Sequence, residues 1–587
     1  MMKAKRILSG LLSCAMLFAA ASCGGKGKET SSSSEGESLP AEEKTVYEKY
    51  AEEPLVYEKK IAKDEDPSLS LWFDHSFAKT VKSDLTGTGR DSYRLYAAKN
   101  EKENCQFFLS SETEGKTFRV KAGDFLSESG ATVPVTLYYQ VYFEMEYNGS
   151  AEQVPDALPQ VKENQSFTVE KNTSCGFVLQ AQTESSTPAG DYKTTLEILG
   201  EDGKQLKIAE VYLKVWNYEL SDDTECRTAM WIDKNFLYGM DYADVYDYLL
   251  SNRVNAYDLP YALSDGRVDA YLDDPRVNSF NILGFKYNKE SGKTDAQIKG
   301  AMTAAYEKLS QKAEWLEKGY FYLVDEPNPN ELYKLDWIRM YGEWLEECFP
   351  GYRQLSPFFT DDWIDDETDW IEYMRPYIRI WVPKTYAYTT LREYAGITGG
   401  KCLYKEGIEG DLDAAFGSYP KRIRQMKETD GAEGWWYVTS QPSNPYITFN
   451  TTEPGVAYRV LFWQQKLNGV QGLLYWSVNY WKDDGWNACA NEWAPGQITY
   501  GNGQLIYPGN KVGSDLPVGS LRLESIRDGI EDYQAFCMLE KIVGTDAVND
   551  LIRRTTTHVA KWSDDEDAFA AERIILGNWL EALSEAQ

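Results

Sequence analysis

The chain has 587 residues, of which 42% are hydrophobic and 14% aromatic, so it is neither a single small module nor a wholly disordered protein. It carries 92 acidic against 61 basic residues, and the resulting net charge of −31 opposes binding to nucleic acids. His75 and His558 are its two histidines, and their separation argues against a zinc site or a Ser-His-Asp relay. The sequence indicates no metal and no cofactor, so acid–base chemistry falls to carboxylates or tyrosines.

Residues 1–22 resemble a secretory signal peptide, with basic residues followed by an apolar run that is too short to span a membrane. Residues 20–23 read Ala-Ala-Ser-Cys and resemble a bacterial lipobox, in which Cys23 receives lipid and becomes the mature N-terminus. Cleavage without lipidation is the alternative. We expect a lipid-anchored protein of the bacterial cell envelope, facing outward or into the periplasm, with residues 23–54 as a flexible tether.

The body of the chain shows two successive hydrophobic patterns. Residues 55–220 alternate apolar and polar positions in short runs between turn residues, which predicts a β-sandwich. From about Thr228, short apolar runs alternate with segments of helical period, which indicates β/α units on a parallel sheet. The candidate strands are 228–232, 254–259, 280–285, 320–324, 353–357, 378–382, 434–439 and 472–478. The expected fold class is therefore α/β plus all-β, a sandwich followed by a (β/α)8 TIM barrel over residues 225–540 and a C-terminal helical segment over 541–587.

Two acidic residues follow the fourth predicted barrel strand, at the end where β/α barrels build their active sites. Asp325 and Glu326 come directly after the apolar run and precede Pro327. One interpretation is structural, with Asp325 ordering the turn and Glu326 near the positive end of the next helix. The other is catalytic, and adjacent acids suit one proton donor with one assistant better than a pair flanking a sugar from opposite faces. A substrate with a 2-acetamido group could then supply its own carbonyl oxygen as nucleophile, while the assisting carboxylate orients the amide N–H.

A series of short motifs runs in order through the sequence from about residue 90 to residue 545. They are YAAKNE (96–101) with Gln106, DALP (156–159), TPAGDY (187–192), DEP (325–327), IWVP (380–383), WWY (435–437), GLLYWSVNYW (472–481) and SLRLESIRDGIEDY (520–533). Together they resemble the bacterial glycoside hydrolase family 123 and the broader domain family 4091. The resemblance implies an exo-acting β-N-acetylgalactosaminidase with substrate-assisted retention, in which Glu326 is the general acid/base and Asp325 positions the acetamido group.

Residues at the ends of the last three predicted strands are candidates for sugar binding, because an aromatic ring stacks on the C–H face of a pyranose. The candidates are Trp381, Tyr386, Trp436, Tyr437, Trp476, Asn479 and Trp481. Neighbours in a strand face opposite sides, so one ring of each adjacent pair is expected to pack outward. Trp476 and Trp481 are favoured because they come last on their segment, and Tyr386 or Tyr437 is expected to donate to the acetamido carbonyl.

Two other functions stay open at this point. A non-catalytic glycan-binding lipoprotein would keep the barrel as a lectin, although the intact pair of acids argues against it. A glycosidase for a sugar without the acetamido group would need a separate nucleophile, such as Asp483, Asp484 or Glu492. The charged stretch 522–533 is interpreted as structural, because its apolar residues have the spacing of a helix face.

Overall fold

The structure is a computed structural model that describes residues 45–52, 59–284, 287–327, 331–358, 370–389, 419–441, 443–481, 484–486, 490–494 and 497–586. The predicted signal peptide, Cys23, most of the tether and Asp483 lie outside these residues. Across the described part of the chain, every helix is too short or too polar to cross a bilayer.

After a short helix at Val46–Tyr50, the N-terminal part of the described chain consists of β-strands, as its alternating pattern predicts. They are β1 (Leu69–His75), β2 (Tyr93–Lys99), β3 (Lys102–Ser111), β4 (Lys116–Ala122), β5 (Phe125–Ser127), β6 (Thr132–Val133), β7 (Val135–Tyr139), β8 (Val141–Tyr147), β9 (Ser150–Leu158), β10 (Phe167–Val169), β11 (Thr173–Gln182), β12 (Gly190–Gly200) and β13 (Gln205–Glu219). One sheet has the order β1-β3-β11-β7, and a second runs β10-β4-β12-β13-β2 with β5 and β6 beside it.

These two sheets pack on a shared apolar core. Phe177 of the first sheet stacks on Phe107 in the same sheet, with 5.1 Å between ring centroids. It also meets Phe118 of the second sheet edge-on at 6.0 Å. Aromatic side chains from alternate strand positions thus fill the space between the sheets, which is how alternation of apolar and polar residues produces a two-sheet core.

A second set of strands forms one parallel sheet with the order β14-β20-β19-β18-β17-β16-β15. The strands are β14 (Arg227–Met230), β15 (Phe280–Asn281), β16 (Gly319–Tyr322), β17 (Gln354–Phe358), β18 (Ile380–Pro383), β19 (Glu433–Val438) and β20 (Gly472–Tyr475). The helices between and after them are Tyr242–Leu250, Val268–Asp273, Asp295–Leu309, Ala313–Lys318, Leu332–Cys348, Trp370–Met374, Tyr419–Asp430, Ala457–Leu467 and Leu521–Val543. The sheet curves into a nearly closed barrel, so the predicted β/α alternation is present.

The predicted strand at 254–259 is reduced to a single bridge between Met230 and Ala256. Backbone bonds nevertheless pass through this segment, because Tyr257 N donates to Met230 O at 2.9 Å and Asn281 N donates to Tyr257 O at 2.7 Å. Side chains replace other ladder bonds: Asn255 N donates to the Thr228 hydroxyl at 2.7 Å. The segment therefore occupies the position of the second barrel strand without forming a regular strand.

The chain beyond β20 reconnects the barrel to the N-terminal sheets. It contains β21 (Ala490–Ala494), β22 (Gln497–Tyr500), β23 (Gly519–Ser520), β24 (Thr556–His558), β25 (Lys561–Trp562) and the helices Thr545–Ile552 and Glu566–Ser584. β23 pairs with β9. The Glu566–Ser584 helix packs on β13, where Trp216 Nε1 donates to Asn578 Oδ1 at 2.8 Å.

Two helical glycines test this packing by opposite effects on stability. In Gly577→Ala the new methyl carbon would lie 2.1 Å from the Trp216 ring, so the helix must shift and the free energy of unfolding should fall by about 1–3 kcal/mol. Gly300→Ala adds a methyl to the exposed side of the Asp295–Leu309 helix with nothing within 4 Å, and should raise the free energy of unfolding by about 0.5–1 kcal/mol. Denaturant unfolding measures both values, and equal effects would contradict the packing of the last helix.

Candidate active site

A cavity of about 1430 Å³ opens at the C-terminal ends of the barrel strands. Asp325 and Glu326 line it, together with aromatic and polar residues on or after several barrel strands. These include Trp231 and Lys234 after β14, Tyr257 and Asp258, Tyr322 on β16, Tyr437 on β19, Trp476 after β20, and Asn502. The cavity is much larger than one sugar ring needs, so part of a longer substrate also fits.

Glu326 is held in an uncommon backbone conformation at the end of β16. Its φ is +37°, in the left-handed region that residues with side chains seldom occupy, at a cost of about 1–3 kcal/mol. The Tyr437 hydroxyl donates to Glu326 Oε1 at 2.6 Å. The strained turn and this hydrogen bond together fix the carboxyl group at the barrel mouth.

The surroundings of Glu326 favour its protonated form. Burial raises its pKa most, and the negative charge of Asp325 raises it further. The hydrogen bond from Tyr437 and the positive charge of Lys384 act in the opposite direction, but the pKa stays above its ordinary value. A half-buried carboxyl group with a raised pKa is suited to donate a proton near neutral pH.

Asp325 has a different environment from its neighbour. It is exposed to the cavity, and its Oδ1 accepts a hydrogen bond of 2.6 Å from the Tyr322 hydroxyl. Burial raises the pKa of both Tyr322 and Tyr437 well above the usual tyrosine range, so these hydroxyls remain protonated donors. Each acid is thus held by one tyrosine, but only Glu326 is partly withdrawn from solvent.

Alternation along the barrel strands decides which rings face inward. Tyr322 on β16 and Tyr437 and Trp435 on β19 belong to the apolar cluster inside the barrel. Trp436, between the two inward residues of β19, points to the helical layer, where its Nε1 donates to Gln465 Oε1 at 3.1 Å. Trp476 continues the inward phase past the end of β20 and lines the cavity.

The structure places Tyr437 and Trp476 on the cavity wall with both acids, and it places the other predicted sugar-binding residues away from that wall. Those that do not line the cavity are Trp381, Tyr386, Trp436, Asn479 and Trp481. Trp381 is fully buried in the core cluster outside the barrel, because its position on β18 has the outward phase. Tyr386 is buried in the short helical turn after β18.

Asn479 and Trp481 have structural contacts that explain their burial. The side-chain oxygen of Asn479 accepts from Asp233 N at 2.7 Å, and its amide nitrogen donates to Asp233 O at 3.0 Å, so it braces the turn after β14. Trp481 Nε1 donates to Ile506 O at 2.8 Å. Both residues support the loops around the cavity and contribute no surface to it.

The separate nucleophiles considered from the sequence receive no support from the described residues. Asp484 accepts a hydrogen bond from Trp486 N at 3.0 Å and pairs with Lys511, and it is not among the residues that line the cavity. Asp483 and the side chain of Glu492 lie outside the described part of the chain. Of the two tyrosines expected to donate to the acetamido carbonyl, Tyr437 lies beside the acids and its hydroxyl donates to Glu326.

Sequence reasoning missed several residues of the cavity wall. Trp231 follows β14 directly, is 37% exposed and lines the cavity, so the rule applied to the later strands would have found it. Asp258 lies at the end of the irregular segment that takes the second strand position, and Lys234 Nζ is 3.6 Å from its carboxylate. Asn502 comes from the long segment after β20, where the sequence has no regular period. In the described residues, no cluster of three or more His, Cys, Asp and Glu is arranged for a metal ion.

Comparison with known proteins relates the chain to one family of glycoside hydrolases. The family model for the glycoside hydrolase 123 catalytic domain matches residues 400–539. The structure of a family 123 glycoside hydrolase from Clostridium perfringens, described for its hydrolysis of glycolipid glycans, aligns with a TM-score of 0.60 and 13% identity, over 88% of this chain and 99% of that chain. A Bacteroides uniformis β-glucuronidase gives a TM-score of 0.25 and 11% identity, over 75% of this chain and 48% of that chain. No curated protein matches this chain in sequence.

The family match and the similar fold of the Clostridium perfringens structure confirm the resemblance to glycoside hydrolase family 123. They support a glycosidase that acts on a carbohydrate substrate.

The Tyr437 hydrogen bond predicts a shift in the pH dependence of activity. Glu326 must be protonated to donate, so kcat/KM for a substrate with a poor leaving group should fall as pH rises through its raised pKa. Tyr437→Phe removes a hydrogen bond that favours the carboxylate, so the pKa rises further and the basic limb should move to higher pH. Tyr322→Phe is the matched control, because it removes the equivalent bond to Asp325 and should leave that limb in place. A limb that stays fixed or moves to lower pH in Tyr437→Phe would exclude Glu326 as the titrating acid.

Proposed function

We propose that the protein is an exo-acting, retaining β-N-acetylgalactosaminidase that uses substrate-assisted catalysis. The observation that carries the proposal is the unequal environment of two adjacent acids, a half-buried Glu326 with a raised pKa and an exposed Asp325. Both follow one strand, so they approach a bound sugar from the same side. That placement suits an acid with an assistant, and it does not suit two carboxylates on opposite faces of the ring.

In the first step, Glu326 gives its proton to the glycosidic oxygen as the bond from that oxygen to C1 breaks. The carbonyl oxygen of the 2-acetamido group forms a bond to C1, giving an oxazolinium ion, while Asp325 accepts a hydrogen bond from the amide N–H and offsets the positive charge. In the second step, the Glu326 carboxylate takes a proton from water, the water oxygen bonds to C1, and the oxazolinium ring opens. Two inversions at C1 retain the configuration.

The rest of the cavity supports a terminal sugar as substrate. Trp476 and Trp231 offer indole rings for stacking on the C–H face of a pyranose. The similar Clostridium perfringens enzyme is described by its action on glycolipid glycans, and we extend that substrate class, the ends of glycans or glycolipids, to this protein as part of the proposal.

Exchange of each acid for its amide should separate the two roles. Glu326→Gln should impair hydrolysis most for poor leaving groups and much less for an activated aryl glycoside, which departs without protonation. Asp325→Asn should impair both substrates, by about a hundredfold or more in kcat, because it weakens cyclisation itself. Equal losses for all four combinations, or full activity in either variant, would return the two acids to a structural role.

Two simpler experiments distinguish this proposal from the alternative, a glycosidase that uses a separate carboxylate nucleophile on a sugar without an acetamido group. An N-acetyl-thiazoline sugar mimics the cyclised intermediate, so it should inhibit an enzyme that uses substrate assistance and should not inhibit one with a separate carboxylate nucleophile. Aryl β-glycosides of GalNAc, GlcNAc, Gal and Glc should show a preference for GalNAc. Turnover of Gal or Glc glycosides with no thiazoline inhibition would favour the separate nucleophile, and binding without turnover would favour a lectin.

We also propose that the protein is anchored to the cell envelope through lipid on Cys23. The support is the sequence of residues 20–23 and the Gly- and Ser-rich stretch that follows it. Cys23→Ala should release the protein into the medium or periplasm and abolish its labelling by a fatty-acid probe. Unchanged membrane fractionation of this variant would show that the lipobox interpretation is wrong.

A further inference from the structure

A fully buried ion pair joins β9, which forms a separate sheet with β8 and β23, to the helix Leu521–Val543. Arg522 Nε donates to Asp156 Oδ1 at 2.9 Å, and Nη2 donates to Oδ2 at 2.7 Å, so the guanidinium binds the β9 carboxylate through two hydrogen bonds. Both side chains have zero exposure, and the Tyr507 hydroxyl donates to the same carboxylate at 2.5 Å. Burying two charges is expensive, so a pair of this kind is weak evidence for added stability and invites another explanation.

The contacts of the third guanidinium nitrogen of Arg522 suggest that explanation. Its Nη1 donates to Phe449 O and to Gly501 O, each at 2.7 Å. These carbonyls belong to the segments that follow β19 and β22. Because the guanidinium is planar and rigid, fixing one edge on Asp156 also fixes the positions of the two carbonyls.

The segment 501–503 is clamped between Arg522 and an indole of the cavity wall. Gly501 has φ +71°, and a Cβ there would lie 2.9 Å from the Arg522 guanidinium carbon. Gly503 has φ +77°, and a Cβ there would lie 2.2 Å from the Trp476 ring. Neither position has room for a side chain, so the segment packs directly against Arg522 on one side and against Trp476 on the other.

Asn502 lies between these glycines and completes the connection. Its Oδ1 accepts a hydrogen bond of 3.1 Å from Trp476 Nε1, and both residues line the cavity. Gly503 N donates to the Tyr475 hydroxyl at 2.7 Å, which ties the same segment to the last barrel strand. An unbroken series of contacts therefore runs from Asp156 through Arg522 and the 501–503 segment to Trp476.

We propose that Arg522, held by Asp156, is a positioning residue for the sugar-binding surface formed by Trp476 and Asn502. This inference rests on the proposed function, which assigns Trp476 to sugar stacking. β8 and β9 contribute no residue to the described cavity lining, yet through this ion pair β9 helps to determine where the indole lies. Loss of the pair lets the 501–503 segment and the indole move, so ground-state sugar binding weakens while the two acids that follow β16 keep their places.

The main test compares two variants that remove one buried carboxylate charge each. Asp156→Asn should raise KM for an activated aryl glycoside about tenfold, with kcat changed less than about threefold. Glu101→Gln is the matched control, because buried Glu101, in the turn between β2 and β3, accepts from Arg573 Nη2 of the last helix at 2.7 Å. Among the described residues, no hydrogen bond of Glu101 or Arg573 reaches the 501–503 segment. Both variants should lower the melting temperature, but only Asp156→Asn should raise KM. A purely structural pair would lower kcat with the folded fraction and leave KM unchanged, which would overturn the inference.

A second variant keeps the test decisive if Asp156→Asn does not fold. Arg522→Lys retains a positive charge beside Asp156 but cannot bind the carboxylate and both carbonyls at once, so it should also raise KM. An unchanged KM in this folded variant would contradict the positioning role.

A measurement without substrate separates this inference from the proposed function. In protein labelled with 5-fluorotryptophan, the 19F signal of Trp476 is assigned by its loss in Trp476→Phe. That signal should shift in Asp156→Asn and stay in place in Glu101→Gln. If the wild type hydrolyses none of the aryl glycosides, the proposed function fails while the signal still reports the connection. If the signal does not move in Asp156→Asn, the connection is absent whatever the activity.

Discussion

The burial of Glu326 is the constraint on which the proposed reaction depends, because in that reaction one carboxyl group has to give a proton and then take one back. Full exposure would leave it ionised near neutral pH, with no proton to donate. Complete burial without a partner would keep it protonated and useless as a base in the second step. Tyr437 resolves this conflict by donating a hydrogen bond to Oε1, which stabilises the carboxylate while burial favours the acid. The barrel interior supplies that tyrosine because β19 lies close enough to β16 to present an inward side chain at the level of the acid.

The sequence was sufficient to place the two acids and insufficient to place most of the rings around them. Asp325 and Glu326 could be found because they end an apolar run of strand length before a proline. The rings on strands β18 and β19 could not be sorted, because parallel barrel strands are buried on both faces and Trp435 and Trp436 are equally apolar. Their phase is fixed only by Tyr437, whose inward position follows from its bond to Glu326. The sequence could not identify Asn502 as a cavity residue, because its position depends on two neighbouring glycines that pack against residues distant in sequence.

The buried charges and the irregular second strand position of the barrel were also beyond what the sequence pattern predicts. The charged stretch 522–533 of the helix Leu521–Val543 was interpreted as structural from its apolar spacing, but that spacing did not show that Arg527 and Asp532 are buried. They are tolerated because Asp532 accepts from Arg459 Nε at 2.7 Å and Arg527 binds acidic neighbours on its own helix. Likewise, the segment near Ala256 is held by a hydrogen bond to the Thr228 hydroxyl, where a regular strand would make backbone hydrogen bonds. The Arg459–Asp532 pair and the Thr228–Asn255 hydrogen bond join residues that are distant in sequence, and a periodic pattern does not encode such partners.

The charge of the cavity limits the substrates that this acid pair can serve. Of the described lining residues, Asp and Glu are Asp233, Asp258, Asp265, Glu307, Asp325 and Glu326, whereas Lys234 and Lys308 are the basic ones. Lys308 pairs with Asp269, and Lys234 lies 3.6 Å from Asp258, so neither adds a free positive charge to the wall. A carboxylated or sulfated sugar would therefore enter against the field of the wall and of a chain whose net charge is −31. It would also raise the pKa of Glu326 further and delay formation of the base needed in the second step. An uncharged terminal sugar avoids both penalties, which agrees with an acetamido sugar whose nucleophile is a neutral amide oxygen.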